Sequence, residues 1–146
     1  MTLEELLLYW ASHLLDQCIP VDGSQDGANT LIQAGKILSI VTARNDTDHR
    51  DDTQKWVSKH FPDIFDDRIF FANHLRDGHA SKSSFCHQHH ITLMIDDGLH
   101  NAIDLAENGI ACILLDRPWN RNDEVNHQLI YRVKNWQEII DNLSSN

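Results

Sequence analysis

The chain has 146 residues, of which 41% are hydrophobic and 23% charged, and its formal net charge is −10. This length fits one domain with a real core, spanning residues 1–146. The negative charge argues against a nucleic-acid polymer as partner, and no apolar run is long enough to cross a membrane. An acidic N-terminus unlike a signal peptide, with three widely spaced cysteines, favours reduced thiols and a cytoplasmic location.

Helical and strand-type patterns alternate along the chain. Apolar residues at helical spacing, with capping signals, predict helices over 3–17, 26–35, 48–60, 81–90, 99–108 and 135–143. Short apolar runs predict strands over 37–42, 68–72, 92–96, 111–116 and 131–133, the last at a sheet edge. The polar segment 73–80 reads as a loop. Strands that alternate with helices predict an α/β fold with a mainly parallel sheet.

Chemically capable side chains stand at the ends of two predicted strands. Thr42 follows one strand, Asp96 and Asp97 end another, and Lys82 lies at the front of a predicted helix. Ligands bind at the carboxyl ends of strands in such sheets. A hydroxyl and an ammonium suit phosphoryl oxygens, and two carboxylates suit Mg²⁺. The pattern therefore predicts a site for a phosphate ester and a magnesium ion.

Each of these residues also has a plainer interpretation. Thr42 alone is typical of a helix-capping residue, and Lys82 alone is typical of a solvated surface lysine. The acidic pair alone is typical of a helix N-terminus, where negative charge favours the helix dipole.

Four segments in order resemble the haloacid dehalogenase (HAD) superfamily of phosphohydrolases. They are IVTAR at 40–44, the lysine that opens a helix at 82, LMIDD at 93–97 and LLDRPWNR at 114–121. The likeness is to the 5′(3′)-deoxyribonucleotidase-like branch and runs from about residue 27 to 140. It implies a Rossmann-like core and a magnesium-dependent phosphohydrolase of the 5′-nucleotidase type, acting on a small phosphomonoester or nucleotide.

The resemblance also implies a role for each matching residue. The implied phosphate-binding residues are Thr42, Ala43, Arg44 and Lys82. The implied metal ligands are Asp96 and Asp97, and the implied catalytic residues are Lys82 and Asp97. Arg44 and the PWNR stretch at 118–121 are expected to line the pocket.

One element of the family pattern is not found. These enzymes begin with a strand that carries Asp-x-Asp, whose first carboxylate is the nucleophile and whose second is the acid/base. No strand here ends in that pair, and DGSQDG at 22–27 is a weak substitute. The first central strand of the sheet would lie between 37–42 and 92–96. Residues 1–25 then read as a remnant of a cap or an N-terminal helix.

The missing strand leaves three structural outcomes and two functions open. The strands 37–42 and 92–96 pair directly, a segment of another chain fills the gap, or the chain is an incomplete version of a longer protein. The alternative to the enzyme is a catalytically inactive pseudoenzyme or truncated form that acts as a binding or partner-dependent module. Its partner is a complementing chain or a second copy, in a homo-oligomer driven by the apolar stripe of helix 3–17.

A cysteine and histidine cluster offers a separate metal-binding hypothesis. It comprises Cys86, His87, His89, His90 and the nearby His100. Its spacing matches no structural-zinc pattern, and partly protonated histidines at a helix C-terminus are the plainer interpretation.

Overall fold

A computed structural model describes residues 15–72 and 81–144 of the chain. These residues belong to two compact units, one within 1–79 and one within 80–146. In chain order the described elements are α1 (Ser24–Gln33), β1 (Ile40–Thr42), α2 (Asp46–His60), β2 (Ile69–Phe71), α3 (Lys82–Gln88), β3 (Leu93–Asp96), α4 (Leu99–Glu107), β4 (Ala111–Leu115), β5 (Ile130–Val133) and α5 (Trp136–Ser144). The single domain over 1–146 stays a prediction.

The first unit contains a parallel pair of short strands and a long helix. Strand β1 pairs with β2, and Thr42 lies opposite Phe71 at the carboxyl end. Helix α2 begins after Asn45, whose side-chain oxygen accepts a hydrogen bond from the Thr47 N–H at 2.8 Å. That bond satisfies one of the free N–H groups of the first turn, so Asn45 determines where the helix starts. Val57 of α2 is buried against the two strands.

The second unit is a three-stranded parallel sheet with helices. The strand order is β3-β4-β5, with Asp96 opposite Leu114 and Leu115 opposite Val133. One apolar cluster packs α3 and α4 against the sheet, and another packs α5 against it. The buried members of the first are Cys86, Ala102, Leu105, Ala106, Ile110, Cys112, Leu114 and Ile130, and those of the second are Ile113, Leu115, Val133 and Ile139. The carboxyl ends of the three strands therefore lie along one edge of this sheet.

The fold class was predicted correctly, because helices alternate with strands and every strand pairing in the described residues is parallel. The elements differ mainly in length. The strand predicted over 37–42 begins at Ile40, since its ladder starts opposite Ile69, and Ile37 before it is 82% exposed. The predicted helix 3–17, apart from its last residues, and the predicted loop 73–80 lie outside the described residues. No described helix is long and apolar enough to span a membrane.

Within its own sheet, every described strand except β4 has one edge without a strand partner, and β1 and β3 are two of these strands. Strand β1 pairs there only with β2, and β3 only with β4. The apolar side chains of β1 and β3 are only half-buried: Ile40 and Val41 in β1, and Leu93, Met94 and Ile95 in β3.

Candidate active site

The carboxylate of Asp96 is the centre of a buried polar cluster at the carboxyl end of β3. Its Oδ2 accepts a hydrogen bond from the Lys82 ammonium, with Nζ and Oδ2 2.5 Å apart. Its Oδ1 accepts from the Gly98 N–H at 2.8 Å and from the Asn101 side-chain amide at 3.1 Å. Both carboxylate oxygens are thus occupied by donors, which orients the side chain.

These partners also determine the charge of Asp96. Burial by itself raises the pKa of the carboxyl, because it penalises the charged form. The Lys82 ammonium opposes this, aided by the hydrogen bonds from Lys82, Gly98 and Asn101, and together they hold the pKa of Asp96 below its usual value. Asp96 is therefore a carboxylate at neutral pH although its side chain is only 4% exposed.

Lys82 is held in place by the start of helix α3. The hydroxyl oxygen of Ser81 accepts from the Ser84 N–H at 3.3 Å and caps the helix. The Ser83 N–H donates to the Asp104 carboxylate on α4 at 3.2 Å, which fastens α3 to the neighbouring helix. The Lys82 side chain is only 12% exposed, so the interpretation as a solvated surface lysine is wrong.

Asp97 differs from its neighbour in exposure and in how it is held. The residue is exposed, and its backbone carbonyl accepts two side-chain hydrogen bonds. The Asn120 amide donates to that carbonyl at 2.8 Å, and the Trp119 indole N–H donates at 3.2 Å. The backbone of the acidic pair is thus anchored from the loop after β4, while the Asp97 carboxylate remains accessible from solvent.

Asn120 connects three strand ends through one buried amide. It is 1% exposed and donates to the Leu115 carbonyl at 2.9 Å as well as to Asp97. Its side-chain oxygen accepts from the Arg117 N–H at 3.1 Å and from the Arg132 guanidinium at 2.8 Å. Every donor and acceptor direction of the amide is used, which is the condition for burying such a group without penalty.

The first unit holds the other predicted site residues at the carboxyl end of β1. The Thr42 hydroxyl oxygen accepts a hydrogen bond from the Arg44 N–H at 3.2 Å, which forms a local turn. Thr42 is not a helix cap, because Asn45 caps the helix that follows. Ala43 is exposed and Arg44 half-buried. Burial lowers the pKa of the Arg44 guanidinium, against the raising effect of Asp52. The role of these three residues in phosphate binding stays a prediction.

A family model decides the relationship of the chain. The family described as "5′ nucleotidase, deoxy (Pyrimidine), cytosolic type C protein" matches residues 7–145. The chain belongs to this family. Because the family is HAD-like and its members are nucleotidases, the resemblance drawn from the four sequence segments is confirmed. A comparison with curated proteins gives no match.

Three of the residues expected from this nucleotidase family meet at one place. Lys82, Asp96 and Asp97 lie together at the end of β3, whereas Thr42, Ala43 and Arg44 lie in the first unit. Three residues of the cluster were not predicted from the sequence: Gly98 and Asn101, which hold the Asp96 carboxylate, and Arg132, which holds Asn120. The only signal for Gly98 and Asn101 was their place just after the acidic pair.

The donor set at the end of β3 fits the magnesium ion that the nucleotidase family implies. In the described residues no group of three or more His, Cys, Asp or Glu side chains is placed to hold a metal. Mg²⁺ does not need such a group, because it binds one or two carboxylates and completes its shell with water and phosphate oxygens. Asp97 offers an exposed carboxylate, and Asp96 accepts three hydrogen bonds out of about four acceptor sites, which leaves one for an ion.

The nucleophile pair of the family is not found in the part of the chain that the structure describes. In DGSQDG, Asp22 lies in a turn and Asp26 in the first turn of α1, so neither ends a strand. The one Asp-x-Asp triple of the sequence is Asp46-Thr47-Asp48. It forms the first turn of α2, where Asp46 pairs with Arg50, and so it serves the helix start rather than a strand end.

The cysteine and histidine cluster does not form a metal centre in the described residues. Cys86 is fully buried in the apolar core of the second unit. The His87 ring lies 3.0 Å from the Asn108 carbonyl, and His89 and His90 follow at the end of helix α3. These contacts agree with the plainer interpretation of histidines around a helix C-terminus.

Proposed function

We propose that this chain is a magnesium-dependent phosphohydrolase of the 5′-nucleotidase type, acting on a small phosphomonoester, a nucleoside monophosphate. The observation that carries the proposal is the buried Lys82–Asp96 pair beside the exposed Asp97 carboxylate at a parallel strand end. Membership of a nucleotidase family supports the reaction class. A cytoplasmic location suits the three cysteines, since all of them are unpaired thiols.

In the proposed site the anionic residues bind the metal ion and the cationic residue contacts the phosphoryl group. In the proposed site Asp96 and Asp97 hold Mg²⁺, which supplies charge neutralisation at the phosphoryl oxygens. The Lys82 ammonium is kept beside Asp96, where it steadies the phosphoryl group as a compact point charge. By family resemblance, the proposed phosphate-binding residues also include Thr42, Ala43 and Arg44. Thr42→Val tests the contribution of the Thr42 hydroxyl by itself.

Phosphate release from a panel of nucleoside monophosphates tests this function. We expect release that requires Mg²⁺, stops with a chelator and is lost in Asp96→Asn. Because Asp96→Asn leaves the Lys82 ammonium without its carboxylate, circular dichroism is needed to show that the variant is folded. Unchanged release by a folded Asp96→Asn would remove Asp96 from the site. If the folded parent protein releases no phosphate, the proposed phosphohydrolase activity is wrong.

A second candidate function is a binding or partner-dependent module without turnover of its own. The observation that favours it is the open edges of β1 and β3, whose apolar side chains are half-buried. Such edges are templates for a further strand. We propose that a strand from another chain, or from a second copy, is the partner of this module.

The two candidates differ in turnover but share the phosphate site. Under the second, inorganic phosphate or a nucleotide raises the melting temperature of the parent without being hydrolysed, and Lys82→Ala removes the increase. Light scattering measures the molar mass in solution and so distinguishes a homo-oligomer from a monomer whose partner is another chain. An unchanged melting temperature in the parent at saturating phosphate would overturn the binding module.

A further inference from the structure

An exposed tryptophan stands beside the proposed phosphate site. Trp119 is 66% exposed, and it follows β4 in the loop that anchors the acidic pair. Its indole N–H donates to the Asp97 carbonyl at 3.2 Å, so the ring is tied to the residue after Asp96. Most of this large apolar ring is therefore open to solvent within one residue of the Lys82–Asp96 pair.

The hydrogen bond of Trp119 is not needed to satisfy its acceptor. The Asp97 carbonyl already accepts from the buried Asn120 amide, at the shorter distance of 2.8 Å. The indole bond therefore adds little to the anchoring of the backbone, and its main effect is to orient the ring. An oriented and exposed aromatic face has the form of a binding surface, because aromatic residues supply large contact areas at a small entropic cost.

The chemistry of the ring indicates which part of a ligand it contacts. Phosphate groups are served by Lys82 and the carboxylate-bound cation of the proposed function, and an indole offers them little. Flat aromatic groups stack on an indole, and every nucleobase has such a face. When a nucleotide places its phosphate at Lys82, its base is the group that can stack on this ring.

We propose that Trp119 is the residue that recognises the base of the nucleotide, by stacking. The inference rests on the proposed function, which supplies the phosphate end of the ligand, and it names the residue that contacts the base. Phosphomonoesters with an aromatic base bind preferentially over those that carry only a sugar. Stacking tolerates different bases, so the preference is for a base as such and does not depend on its identity.

Two ligands that differ only in the base isolate this contribution. Uridine 5′-monophosphate and ribose 5-phosphate share the sugar and the phosphate. By titration calorimetry with Ca²⁺ in place of Mg²⁺, so that neither ligand is hydrolysed during the titration, we expect the parent to bind the nucleotide roughly 5- to 150-fold more tightly, the range that one stacked base provides. This measurement does not depend on turnover, so it can be made on an inactive protein.

Two variants at the same position separate the ring from its hydrogen bond. Trp119→Phe and Trp119→Leu both lose the indole N–H, but only the phenylalanine keeps an aromatic face. We expect Trp119→Phe to keep part of the preference, because its ring can stack but has lost the orienting hydrogen bond. We expect Trp119→Leu to bind both ligands equally, with the affinity for ribose 5-phosphate unchanged. Tyr131→Leu is the control, since it removes another exposed ring, 54% exposed, from strand β5.

The outcomes distinguish this inference from the function on which it rests. Binding of ribose 5-phosphate with no preference for the nucleotide would overturn the role of Trp119 and leave the phosphate site standing. A preference that survives in Trp119→Leu would do the same. Failure of the parent to bind either ligand would overturn both proposals.

Discussion

The side-chain amide of Asn120 donates a 2.8 Å hydrogen bond to the backbone carbonyl of Asp97, across 23 residues of sequence. The same amide group donates to the carbonyl of Leu115 at the end of the neighbouring strand. One buried side chain thus fixes the distance between the ends of β3 and β4. The proposed site is built on that edge, so its geometry depends on a side chain that is itself buried.

Replacing this amide should destabilise the second unit. Asn120→Ala leaves the carbonyls of Asp97 and Leu115 short of a buried donor, and the Arg132 guanidinium short of an acceptor. We expect a loss of about 3 kcal/mol in the free energy of unfolding, since each buried unsatisfied group costs about 1–3 kcal/mol. Urea denaturation measures it, with Trp119→Phe as the control that removes only the exposed donor. A loss below about 0.5 kcal/mol would contradict this role of Asn120.

The Lys82–Asp96 pair should behave as a coupled unit. Lys82→Met leaves a buried carboxylate with only two neutral donors, and we expect it to cost about 3 kcal/mol. Combined with Asp96→Asn, the double variant should be more stable than the sum of the two losses indicates, by at least about 1 kcal/mol. Additive losses in urea denaturation would show that the two groups do not interact in solution.

The same pair predicts a pH dependence of stability. The pKa of Asp96 is lower in the folded chain than the ordinary value of 3.8, so the folded state binds this proton less tightly than the unfolded state. Its contribution is therefore complete above the ordinary pKa and is lost as the pH falls through the lowered one. Lys82→Met removes the main lowering influence, so its acid unfolding should begin at a higher pH. An unchanged acid midpoint would contradict the pairing.

Gly98 should resist substitution because of the space around it. A Cβ at this position would lie 2.9 Å from the Asn101 amide nitrogen and 3.2 Å from the Asp96 Oδ1. We expect Gly98→Ala to displace Asn101 from Asp96 and to cost about 1 kcal/mol, the value of one such hydrogen bond. The cost should fall when Asn101 is already alanine, because the displaced group is then absent. Equal costs in both backgrounds, by thermal denaturation, would rule out this explanation.

The cysteines provide a test of the core of the second unit. Burial raises the pKa of Cys86 to about 11 and that of Cys112 to about 12, whereas Cys18 is exposed. The thiolate is the reactive form, so iodoacetamide at pH 8 should label Cys18 and spare the other two. Mass spectrometry should show one adduct on the folded chain and three in denaturant. Three adducts on the folded chain would contradict the packing of α3 against β4.

The alternation of elements could be predicted from sequence because it depends on local periodicity. Strand lengths could not, since a ladder begins only where the partner strand does: Ile37 is as apolar as Ile40 but has no residue of β2 opposite it. Lys82 and Asp96 were found by order along the chain, and their buried contact depends on how α3 packs beside α4. Asn101 was missed because a polar residue in the first turn of a helix ordinarily faces solvent.

Magnesium-dependent release of phosphate from uridine 5′-monophosphate, compared between Asp97→Asn and Asp123→Asn, tests whether the carboxylate that follows β3 takes part in phosphate ester hydrolysis. Both residues are exposed carboxylates, so neither change should disturb folding, and only Asp97 belongs to the proposed site. We expect release by the parent and by Asp123→Asn, and a loss of at least about 100-fold in Asp97→Asn, the scale of one lost electrostatic group in an active site. Equal release by both variants, or none from the folded parent, would contradict this expectation.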